Sequence, residues 1–84
     1  PKIDPRDMDV IKQPLDFFGL NIYSGTQIRR GPAGQPEVVP YPPGFPTTTM
    51  RWAVAPKSLY WGPRFHYERY KLPIVITENG MAGT

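Results

Sequence analysis

Two apolar, branched runs, residues 15–23 and 72–77, flank a stretch that proline and glycine interrupt almost continuously. No other feature constrains the fold as much. The chain holds 12 prolines in 84 residues, most of them between positions 32 and 63, where about 5% would be ordinary. Proline fixes φ and removes an amide donor, so long regular elements are disfavoured there. The flanking runs, by contrast, read as core elements. A long ordered loop between two core elements reconciles both facts, and such loops are usually functional or disordered.

Residues 15–23 (Leu-Asp-Phe-Phe-Gly-Leu-Asn-Ile-Tyr) and 72–77 (Leu-Pro-Ile-Val-Ile-Thr) are too continuously apolar for half-exposed strands. They predict parallel strands covered on both faces. Gly19 predicts close backbone approach or a bulge. Asn21 and Tyr23 lie two apart and so point to one face. Ahead of the first strand, Asp4 as cap, Pro5 at the first position and Asp7 in the first turn predict a helix. Met8 and Ile11 share a face of it, and Gln13-Pro14 ends it. Residues 24–49 read as loop, with a short extended piece around Glu37-Val38-Val39. Pro63 is unsuited to a helix interior. Residues 56–60 therefore predict a single turn, and a second helix, capped by Gly62, runs from Pro63 to Tyr70. The order helix, strand, long loop, helix, strand is an α/β pattern, a βαβ unit with a decorated connection.

The net charge of +3 is scattered, and Arg29-Arg30 is the one tight pair. No basic stripe of the kind nucleic-acid binders present is visible, so no nucleic acid is expected as partner. No apolar run approaches the ~20 residues of a membrane span, so no membrane partner is expected either. There is no cysteine, which excludes disulfides and thiolate zinc sites, and the lone His66 cannot build a metal site. No cofactor is expected. The first residues, Pro1-Lys2-Ile3-Asp4, have no apolar signal-peptide core, and a cytoplasmic location is the expectation.

Glu78 follows directly on the second apolar strand. A carboxylate there is costly unless paired or hydrogen-bonded. In a parallel barrel the C-terminal strand ends form the active face. Asn21, Tyr23, Glu78 and Asn79 would all be presented toward one region there, which makes it a candidate site. The rival reading has Glu78 capping a following helix or sitting in solvent.

Residues 73–80, Pro-Ile-Val-Ile-Thr-Glu-Asn-Gly, are very similar to the nucleophile signature of the family 1 glycoside hydrolases, which include the β-glucosidases. Residues 16–23 resemble that family's sixth barrel strand. Met50-Arg51-Trp52, through Pro56-Lys57-Ser58-Leu59-Tyr60, resembles its substrate loop and the helix that follows. Three motifs in the family's order make the resemblance specific. It implies part of a (β/α)8 TIM barrel of more than about 400 residues. Residues 1–84 would be a fragment supplying strands six and seven with their connection, and not a complete domain. It also implies retaining hydrolysis of a β-glucoside or related small saccharide. Glu78 would attack the anomeric carbon, and a second glutamate, ~5–5.5 Å away, would serve as acid/base. The family carries that glutamate in an Asn-Glu-Pro motif, which these 84 residues lack, so the segment alone is expected to be inactive.

By the same resemblance, Tyr23 donates a hydrogen bond to the nucleophile and Asn21 belongs to the polar, substrate-binding network around it. Trp52 lines the entrance against the leaving group. The alternatives are core packing for Tyr23, a backbone hydrogen bond for Asn21 and a loop anchor for Trp52. Ile22 stands where many members have tyrosine, and alternation points it away from the site. Arg51 stands where the family often has glycine and is expected to narrow the entrance. Trp61, Phe65, Tyr67 and Tyr70 read as core or surface aromatics of the helix. Two further functional readings stand beside the main one. The phospho-β-glycosidases of the same family differ outside this stretch. A non-catalytic proline-rich interaction segment would use the PxxP patterns within residues 36–48.

Overall fold

A computed structural model describes residues 2–83. Its elements are α1 (Asp7–Ile11), β1 (Phe18–Asn21), β2 (Gln27–Arg30), β3 (Pro36–Val39), α2 (Ser58–Tyr70) and β4 (Ile74–Glu78). The expected first helix is present but shorter, with Arg6 rather than Asp4 in the cap position. Asp4 still organises its start: the Asp4 carboxylate accepts the Arg6 amide at 2.9 Å, and Asp7 accepts the Asp4 amide at 3.2 Å. The Arg6 guanidinium, 2.8 Å from Asp4, is the chief cause holding that carboxyl below its usual value.

β1 and β4 pair in parallel, as the apolar runs predict, and α2 lies in the connection between them. Phe18 on β1 stacks on Tyr70 of α2 at 5.1 Å and meets His66 at 5.2 Å. Ile22 packs against Gly62, where a Cβ would fall 3.1 Å from Ile22 Cδ1. These contacts lay α2 across one face of the strand pair. Ile22 thus points into the helix, as alternation requires.

Three expectations need correction. First, α2 runs unbroken through Pro63 instead of restarting there. Part of the clash between a proline ring and the preceding residue comes from that residue's Cβ, and Gly62 has none. Gly62 is therefore an interior residue and not a cap. Second, residues 24–49 are not all loop: β2 and β3 form an antiparallel hairpin. Glu37-Val38-Val39 is its second strand. Arg29 sits opposite Glu37 and bonds it at 2.7 Å, an opposite-charge cross-strand pair. Third, the strands are not covered on both faces. No apolar side chain among the described residues is fully buried, and Val75 and Ile76 remain 43% and 38% exposed. One helix can cover only one face of a two-stranded ribbon, and the ribbon keeps both outer edges open. The prolines at 42 and 43 enter a compact turn, with the Phe45 amide bonded to the Pro42 carbonyl and Tyr41 packed on Phe45. That is not the extended form that PxxP-binding grooves accept.

Candidate active site

Glu78 is the last residue of β4, and its position follows from an irregularity in the pairing. Leu20 pairs with Ile76 and Asn21 with Glu78, so Thr77 is passed over. A bulge of this kind re-aims the side chains beside it. Thr77 fills the space it creates, its hydroxyl donating to Asn21 Oδ1 at 2.6 Å. Beyond the bulge the Ile22 amide donates to the Glu78 carbonyl at 2.9 Å. Tyr23 then brings its phenol onto Glu78 and donates to Oε2. That bond is the largest cause raising the Tyr23 phenol above its ordinary value, with burial and the charge of Glu78 adding to it.

Trp52 reaches the same place from the long connection. Its ring centroid lies 5.6 Å from that of Tyr23, tilted by 55°. The loop that holds it is tied at several points. Thr48 donates its amide to the Trp52 carbonyl at 2.8 Å and accepts the Trp52 amide on Oγ1 at 3.3 Å. Ser24, just after β1, donates to the Ala53 carbonyl at 2.7 Å. Arg51 has φ 61, the left-handed region that favours glycine. The glycine-like position expected there is thus occupied by an arginine without loss of the turn.

Tyr23 borders two clefts. One of about 750 Å³ is lined by Ser24, Thr26, Tyr41, Thr47, Arg51 and Trp52 as well. A smaller one of about 200 Å³ runs past Thr48, Asn79, Gly80 and Met81. A third, of about 900 Å³, lies between the hairpin and α2 and includes neither Tyr23 nor Glu78. Among the described residues no group of three or more His, Asp or Glu is arranged to hold a metal ion.

The structure therefore gathers Glu78, Tyr23 and Trp52 at one strand end. Asn21 stands beside them, with its carbonyl oxygen engaged by Thr77. Thr77 and Asn79 are the residues whose partners the sequence did not reveal. Asn79 turns its amide to the Ile22 carbonyl, at 2.8 Å. A polar residue on each side of Glu78 in an otherwise apolar strand end was the available signal. Chemically, a carboxylate with Oε2 bonded to a phenol keeps its other oxygen for a reacting atom.

The parallel pair, its helical crossover and the strand-end carboxylate define part of a (β/α)8 barrel. The chain belongs to glycosyl hydrolase family 1, whose model matches residues 1–84. It is 39% identical over 83 residues to a 1,4-beta-D-glucan glucohydrolase of Thermotoga neapolitana, covering 98% of this chain and 20% of that one. It is 38% identical over 77 residues to beta-glucosidase A of Thermotoga maritima, covering 90% of this chain and 17% of that protein. The solved structure of a Thermotoga maritima beta-glucosidase in complex with glucoimidazole superposes with a TM-score of 0.70 at 37% identity, covering 92% of this chain and 17% of the other. The chain thus spans about a fifth of the length of the curated relatives it matches. The faces left open on β1 and β4 are those that neighbouring barrel elements cover in a complete barrel of this fold.

Proposed function

We propose that this chain supplies the nucleophile of a retaining β-glycosidase that acts on β-glucosides, and that Glu78 is that nucleophile. The observation that carries the reading is the bond from the Tyr23 phenol to Glu78 Oε2 at the C-terminal end of a parallel strand. In this reaction Glu78 attacks the anomeric carbon as the glycosidic bond breaks, and the leaving oxygen takes a proton from a second carboxyl group. Water, deprotonated by that same group, then releases the sugar. Residues 1–84 lack the family's Asn-Glu-Pro motif, so the second carboxyl comes from elsewhere in a complete barrel. Tyr23 donates to the charged form of Glu78 and fixes its orientation. Trp52 offers a flat aromatic face to the leaving group. The Asn21 amide contributes to the polar network around the sugar. The names of the relatives, a glucan glucohydrolase and a beta-glucosidase, support a glucoside as substrate.

The test is made in the complete barrel that carries this segment. Glu78→Gln abolishes turnover of an aryl β-glucoside while glycoside binding survives. In Glu78→Ala, added azide takes the place of the missing carboxylate and gives the α-glucosyl azide. Near-normal turnover of Glu78→Gln, or a β-configured azide product, removes Glu78 from this role. The 84 residues by themselves have open strand edges and little core, and we expect no activity from them. Hydrolysis by purified, monomeric segment would contradict that.

A further inference from the structure

We propose that Asn79 is a positioning residue: by holding the Ile22 carbonyl it sets where the Tyr23 phenol meets Glu78. This rests on the reading of Glu78 as nucleophile, but its main test does not need turnover.

Ile22 is held through both of its backbone groups by two consecutive residues, Glu78 at the end of β4 and Asn79 just past it, and the second hold falls on the Ile22–Tyr23 peptide. The Ile22 amide donates to the Glu78 carbonyl at 2.9 Å, and the Asn79 Nδ2 donates to the Ile22 carbonyl at 2.8 Å. In a parallel ladder the second of these bonds would come from the backbone amide two residues beyond Glu78, that of Gly80. Gly80 has φ 148 and carries the chain out of that path. The Asn79 side chain supplies the donor instead, and extends the pairing by one bond past the end of β1.

That bond falls at a sensitive point. Tyr23 begins at this peptide, and its phenol projects across to Oε2 of the residue next to Asn79. A tilt of the peptide is amplified along the ring, and hydrogen bonds weaken steeply with poor alignment. Asparagine suits the position because its single methylene reaches the carbonyl with an N–H donor and adds no charge beside Glu78.

The test compares Asn79→Ala with Asn79→Leu in the complete barrel. Leucine keeps the branched shape without a donor, so it preserves packing should alanine unfold the strand end. The readout is the titration of the Tyr23 phenol, followed by NMR of ring-labelled tyrosine and assigned with Tyr23→Phe. In the unsubstituted protein Tyr23 titrates above the ordinary 10.0. In both variants it falls back toward that value, since the bond that raises it is lost. The kcat falls on the order of tenfold, the size of one hydrogen bond to a charged group, with KM little changed. The double variant Tyr23→Phe/Asn79→Ala is no slower than Tyr23→Phe alone. An unmoved Tyr23 titration, or losses that multiply in the double variant, would overturn the proposal. If Glu78 is not the nucleophile, Glu78→Gln stays active while the Tyr23 titration still responds to Asn79.

Discussion

Gly19 and Thr77 meet across the parallel strands so closely that a Cβ on Gly19 would stand 3.1 Å from Thr77 Cγ2. Thr77 has little room to yield. It is β-branched and stiff about χ1, and Asn21 holds its hydroxyl at 2.6 Å. Gly19→Ala should therefore destabilise the complete barrel by about 1–2 kcal/mol, despite a gain of roughly 0.5 kcal/mol from replacing a strand glycine. Urea unfolding measures this, and an unchanged midpoint would show that Thr77 can move.

The Tyr23 phenol keeps its proton above the ordinary value of 10.0, chiefly through its bond to Glu78. The folded state binds this proton more tightly than the unfolded chain does. The stabilisation is thus fully present below 10.0 and is lost as pH rises through the higher, folded value. Activity attributable to the bond should persist through neutral pH and fail only in strong alkali. Tyr23→Phe should lower kcat by about tenfold at neutral pH and remove the alkaline step from the profile. A Tyr23→Phe profile that keeps the step assigns it to another group.

Trp52 touches Tyr23 but makes no hydrogen bond through its indole to the carboxylate, so its loss should spare the chemistry. Trp52→Ala is expected to raise KM for aryl β-glucosides by about 3- to 10-fold, with a smaller change for substrates whose leaving group is a short alcohol. Equal effects on both substrates would place Trp52 in loop anchoring alone.

Pro63 leaves the Leu59 carbonyl without its helical donor in the middle of α2. An interior proline costs ~3 kcal/mol, offset by up to ~1 kcal/mol through the stiffer unfolded chain. Gly62 relieves part of that cost, so Pro63→Ala should stabilise the barrel by about 1 kcal/mol. A lower thermal midpoint would mean that the ring itself is a packing contact.

What the sequence disclosed divides along physical lines. The parallel pair was legible because residues 15–23 and 72–77 are short runs too apolar for half-exposed strands, a pattern that suits the covered strands of a complete barrel. Glu78 was legible because a carboxylate at the end of such a strand demands a partner, and Tyr23 two residues after Asn21 was placed to be one. The unbroken α2 was not, since the penalty at Pro63 is relieved by the missing Cβ of Gly62, and glycine before proline reads as a break. The hairpin was hidden by Pro36 and by the glycines of its turn, although Arg29 and Glu37 mark its register. The Asn79 bond depends on Gly80 leaving the ladder, a backbone dihedral that composition does not report.

The hairpin β2–β3 is a sheet of its own, joined to no strand of the parallel pair. The support of Glu78 comes from β1 and β4, whereas Trp52 is carried by the connection that also contains the hairpin. The pair that holds Glu78 and the loop that holds Trp52 are therefore separate pieces of one polypeptide. Residues 27–39 form a self-contained cassette: they border the cleft against α2 and not the one beside Tyr23 and Trp52, so they can be lengthened, shortened or recharged with no edit to the strands that orient Glu78.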